Sequence, residues 1–124
     1  MKYVLPIIMT LLLMACSKRD DFYYRTHPLD LKEALNKCPN KAPNLVNCKR
    51  LHELSMHISN LADELRQNPQ EFGQSILKLQ NKIAETKKTL NHTHDAKLSS
   101  MLEQLEVQLS ERKAIVKWLE SPVG

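Results

Sequence analysis

Leu51, Leu54, Ile58, Leu61 and Leu65 step along the chain by three, four, three and four residues. That spacing is the a/d seam of a helix packed against other helices, and it closes off most alternatives for the second half of the chain. Phe72, Ile76, Leu79, Ile83 and Leu90 continue the stepping, with Thr86 filling one seam position. A third run follows at Leu98, Leu102, Leu105, Leu109, Val116 and Leu119. Arg112 interrupts it, a residue whose stem can cover apolar surface while its charge reaches water. Two glycines in 124 residues and few aromatics agree with helices and speak against a β-sandwich.

Local signals set the boundaries. One helix is expected from about 45 to 66, with Asn44 or Asn47 as its cap. It stops at Asn68–Pro69, because a residue before proline avoids helical angles. The next helix starts at the same pair, with Asn68 as N-cap, Pro69 at the first position and Glu71 placed as in a capping box. Gly73 weakens its first turns by up to about 1 kcal/mol. Asn91 to His94 form a turn, and a last helix runs from about 95 to 120. Two helices of similar length joined by a short turn pair antiparallel. Ahead of them, Pro28 opens a short helix with Asp30 in its first turn and a Leu31/Leu35 stripe, ending at Cys38–Pro39. Residues 27–35 faintly echo 68–76, and both read as proline-started amphipathic helices. The expected fold is all-α: a short disulfide-stapled N-terminal helix, then a three-helix bundle. Its rival is an antiparallel helical hairpin with heptad seams that draws its third helix from a second copy, a homo-oligomer.

The N-terminus carries a different kind of signal. Met1 and Lys2 precede an apolar stretch from Tyr3 to Met14, too short to span a bilayer but suited to a secretory h-region. Leu13, Ala15 and Cys16 match the bacterial lipobox, with Met14 larger than the usual residue at its place. Residues 1–15 are therefore expected to be a lipoprotein signal peptide, and Cys16 the first residue of the mature chain. The lipobox implies a diacylglycerol on the Cys16 sulfur and an acyl chain on its amino group, since stable anchoring takes two or more chains. The expected place is the cell envelope, lipid-anchored, with the domain in the periplasm. Ser17 stands where an aspartate would retain a lipoprotein at the inner membrane, which favours the outer one. Removal of residues 1–15 takes away one lysine and leaves 17 basic against 14 acidic side chains. The signs are mixed along the chain, so no nucleic-acid partner is implied. The expected organisation is a signal at 1–15, a lipidated tether at 16–26, a stapled head at 27–48 and a helical bundle at 49–124.

With Cys16 assigned to lipid, Cys38 and Cys48 remain as a pair in an oxidising compartment, and a disulfide is expected between them. Pro39, Asn40, Pro43 and Asn44 supply turn formers for the loop. Closing so short a loop stabilises by about 3 kcal/mol in the chain-entropy model.

The search for chemistry gives little. His92-x-His94 lacks a third ligand marked by spacing and reads as a polar turn. His52 and His57 are five apart, which is not one helix face. Glu111-Arg112-Lys113 superficially looks like the end of a metal-dependent nuclease site, but those sites lie on strands with an upstream acid. No phosphate loop, GxSxG or HExxH is present. No acid–base set converges, so no catalytic residue, metal or cofactor beyond the lipid is assigned, and a hydrolase or nuclease is disfavoured.

Phe22, Tyr23 and Tyr24 follow the polar stretch Ser17–Asp21. Their rings can sit at the headgroup level or pack on the folded domain, and packing is preferred because rings gain most by burial. The order Cys16, Tyr23-Tyr24, His27-Pro28, Leu31, Leu35, Cys38 and Asn47-Cys48 resembles the EexN entry-exclusion lipoproteins, over residues 16–48. The helical tail from Leu51 onward exceeds that family's pattern. The resemblance implies a binding protein without turnover, associated with conjugation and type IV secretion, whose partner is a component of an incoming transfer apparatus. It implies a recognition surface on the head, for which Tyr23, Tyr24, His27 and Pro28 are the candidates. A structural or assembly lipoprotein of a type IV or other envelope machine is the second class.

Overall fold

A computed structural model describes residues 19–39 and 46–120. The expected signal at 1–15, the lipidation residue Cys16 and the loop residues Asn40, Pro43 and Asn44 lie outside them. Five helices follow in order: α1 (Asp21–Thr26), α2 (Pro28–Asn36), α3 (Cys48–Gln67), α4 (Pro69–Leu90) and α5 (Ala96–Glu120). No strand occurs among the described residues, so the all-α expectation holds.

Most of the helices start where a side chain satisfies a free backbone donor. Asn47 Oδ1 accepts from Arg50 N at 2.8 Å and starts α3. Asn68 Oδ1 accepts from Glu71 N at 3.1 Å, while its Nδ2 donates to Glu71 Oε2 at 2.9 Å. Both ends of that four-residue unit are thus engaged, a variant of the reciprocal capping box. Asp95 Oδ1 accepts from Lys97 N at 2.9 Å ahead of α5.

The seams largely account for the packing. Leu51, Leu54, Ile58 and Leu61 of α3 are buried, as are Phe72, Ile83 and Thr86 of α4. Thr86 tolerates its seam position because its hydroxyl donates to the Lys82 carbonyl oxygen at 2.7 Å. The α4–α5 pair is antiparallel, and Lys87 Nζ reaches Glu106 Oε1 across it at 3.2 Å. Arg112 lies over the Phe72 ring, 5.1 Å from its centroid, and extends to Glu64 at 3.6 Å. The Arg112 side chain is partly buried, 22 % exposed, with its guanidinium between an aromatic ring and a carboxylate.

Three expectations need correction. The expected tether at 16–26 is not a tether from Asp21 onward, because Asp21–Thr26 form α1. Asp20 Oδ1 caps that helix by accepting from Tyr23 N at 2.9 Å, and α1 packs on α2, α3 and α5. The head and the bundle are not separate in packing. Tyr24, Leu31, Ala34 and Val46 share one apolar core with Leu51, Leu54, Ile58, Leu61, Phe72 and Ile115. Helix α5 does not use one seam, since it touches all four other helices. Its most buried residue is Ile115, outside the expected run, and Glu111 is buried as well.

Candidate functional site

Helix α1 is attached to the bundle by charge as well as by burial. Asp21 Oδ1 accepts from Arg25 Nε and Asp21 Oδ2 from Arg50 Nε, each at 2.5 Å. Arg25 Nη1 donates to Glu111 Oε1, and His57 Nε2 stands 2.9 Å from Glu111 Oε2. Arg50 also reaches Glu53 at 3.1 Å. One continuous network therefore joins α1, α3 and α5. Glu111 sits at its buried end, 3 % exposed, with both carboxylate oxygens occupied. An unpaired carboxylate there would be costly, so Arg25 is needed wherever Glu111 is charged.

The electrostatics follow from these contacts. Partial burial pushes the Asp21 carboxyl up, but hydrogen bonds from Arg50 and Arg25 outweigh it and hold the group below the usual carboxylate range. Burial alone would lower Arg25, yet its bonds to Asp21 and Glu111 raise it. The Tyr23 phenol is raised, first because its hydroxyl donates to Asp30 Oδ2 at 2.5 Å and then by burial.

The four residues nominated for recognition separate into two groups. Tyr24 is 2 % exposed and belongs to the core, so it presents no surface to a partner, contrary to its nomination. Its ring fills the joint between α1 and the bundle and meets Tyr23 edge-on at 5.6 Å. Tyr23, His27 and Pro28 stay accessible to differing degrees. The His27 imidazole stacks on Tyr23 with centroids 4.0 Å apart and an interplanar angle of 8°. His27 Nδ1 lies 2.7 Å from the Tyr23 carbonyl oxygen, which ties the ring to the end of α1. Beside this stack an open groove of about 330 Å³ runs between His27, Pro28 and Leu29 on one side and Ala114, Lys117 and Trp118 on the other. Trp118, Pro28 and exposed Leu29 supply apolar lining, and Lys117 and Asp30 supply charge. Aromatic and aliphatic anchors beside charged side chains suit recognition of a protein surface.

Cys38 and Cys48 are joined, with Cα atoms 5.9 Å apart, so the end of α2 is fastened to the start of α3. His92 and His94 are exposed at the α4–α5 turn. Among the described residues, no group of three or more His, Cys, Asp or Glu is placed to share a metal ion. No helix among them is long and apolar enough to cross a membrane.

Sequence reasoning missed Glu111 and Ile115 in the interior, and groove residues Lys117 and Trp118. Signals for α1 were present: an aspartate at the N-cap, Asp21 in the first turn and Arg25 four residues later. Nothing local pointed to Glu111, whose partners are 86 and 54 residues away. No family model, curated protein or solved structure matches the chain significantly.

Proposed function

We propose that this is a lipid-anchored envelope protein that binds a partner protein, and that its task is exclusion of an incoming conjugative or type IV transfer apparatus. One observation carries the reading. Among the described residues of the EexN-like stretch, α1 and α2 pack on each other and on α3, and Cys38–Cys48 staples the end of α2 to the start of α3. The Tyr23–His27 stack of that stretch, and the groove that Pro28 shares with Trp118 of α5, provide a surface for a partner. An anchor on Cys16 confines this surface to a membrane plane and raises its effective concentration near an envelope partner. The fold supports binding through rigidity, because the core, the staple and the α1 network together order the groove before a partner arrives.

The test is a mating experiment. Expression in a recipient cell lowers transfer from a donor carrying the matching apparatus by tenfold or more, and Cys16→Ser abolishes the effect. Unchanged transfer with the acylated protein in place refutes the exclusion role. A second reading, an assembly subunit of the cell's own envelope machine, is favoured by α4. Among the described residues that helix packs only on α3 and α5, and it leaves Leu77 59 % exposed. Under this reading, deletion impairs the host's own secretion while its capacity as a recipient is unchanged.

A further inference from the structure

Helix α1 points its aromatic residues in opposite directions. Tyr24 is in the core, whereas Phe22 is 46 % exposed. Two residues of helix amount to about 200° of rotation, so Phe22 leaves α1 on a different side from Tyr24 and lies partly exposed at the edge of the bundle. Phe22 borders two open depressions over α5, one of which also reaches Ile83 of α4. Just ahead of it, exposed Arg19 is held near the helix, its guanidinium 5.3 Å from the Tyr23 ring centroid. Lys18 precedes it in the sequence.

The position of these residues relative to Cys16 gives them a meaning. Four peptide units separate Cys16 from the α1 cap Asp20, a span of at most about 14 Å. That is little more than the diameter of one helix, about 10–12 Å. A domain held so close to its anchor brings α1 to the headgroup layer. We propose that the outer edge of α1, formed by Arg19 and Phe22, is a membrane-contact surface seated among the phospholipid headgroups around the anchor. The inference rests on the lipidation of Cys16 proposed above. A cation beside an exposed aromatic ring is a combination that interfacial segments use: the ring sits among the headgroups and the cation gains from the negative surface. The anchored domain is then docked against the membrane by α1 and does not swing freely on a flexible linker. The same network that fastens α1 to Glu111 and Arg50 transmits this orientation to the whole bundle.

Site-specific photocrosslinking of the full-length protein in the bacterial envelope tests this. A benzophenone side chain replaces Phe22 in one variant and Met56, 68 % exposed on α3, in another. Both positions face outward, and acylation of Cys16 is read in the same samples by mass spectrometry. The expected result is phospholipid adducts at position 22, at least fivefold more abundant than at position 56. An acylated protein with equal or absent lipid adducts at position 22, or with protein adducts alone there, overturns the membrane contact and leaves the anchor standing. A protein without acyl chains on Cys16 overturns both.

Discussion

Replacing Glu111 by glutamine removes one charge and almost no volume from the interior. The wild-type carboxylate is 3 % exposed and accepts from Arg25 through one oxygen, while the other meets His57 at 2.9 Å. A hydrogen bond to a charged group contributes about 1.5–3 kcal/mol, and breaking a buried pair costs about 3–5 kcal/mol when the remaining charge is trapped. Arg25 is not trapped: its side chain is 24 % exposed and keeps its bond to Asp21. The lower range therefore applies, and Glu111→Gln is expected to cost about 2 kcal/mol. For a domain of roughly 100 residues each kcal/mol shifts Tm by about 4–8 °C, so Tm should fall by about 8–16 °C. Urea and thermal denaturation of the purified exported domain measure the loss. A double-mutant cycle with Arg25→Met isolates the pair and should give a coupling of about 1–2 kcal/mol. The amides of α1 should lose hydrogen-exchange protection before those of α4. A Glu111→Gln protein within 0.5 kcal/mol of the parent, or strict additivity with Arg25→Met, refutes the claim that this pair fastens α1.

Other expected outcomes follow from the same contacts. Cys38→Ser with Cys48→Ser should lower unfolding stability by about 3 kcal/mol, the entropy of closing a loop between residues ten apart, measured by urea unfolding. Asp21 titrates lower in the folded chain than in the unfolded one, so its contribution is complete above the ordinary carboxylate range. That contribution fades as pH falls through the lowered value. Comparison of unfolding curves below about pH 4 should show a shallower acid loss in Asp21→Asn than in the parent. Ile115→Ala should cost about 2–5 kcal/mol, because the side chain is fully buried. The half-buried Leu109→Ala should cost clearly less, which denaturant titration of the two variants resolves.

The α3 and α4 helices were legible because each presents one stripe to the core, and a stripe leaves a period in the sequence. The cap at Asn68 was legible because both hydrogen-bond partners lie within four residues. The bounds of α5 were legible too, expected at about 95–120 and found at Ala96–Glu120, but its buried face was not, because contacts with four other helices spread burial beyond a single seam to Glu111 and Ile115. Ile115 and Trp118 fell between the positions that a heptad selects. Helix α1 was read as part of a tether since six residues, three of them aromatic, carry no helical period. Its order comes from Glu111 and Arg50, supplied by helices distant in the chain. The candidate face was half legible. Tyr23, His27 and Pro28 were nominated on order alone, and Tyr24 was nominated with them although its ring is the one that the core takes up.

The membrane anchor is the claim on which the exclusion role depends, and metabolic labelling with an alkyne fatty acid in a bacterial host addresses it directly. The account predicts label on a mature chain that begins at Cys16 and no label on Cys16→Ser. An unlabelled chain that still carries residues 1–15 contradicts it.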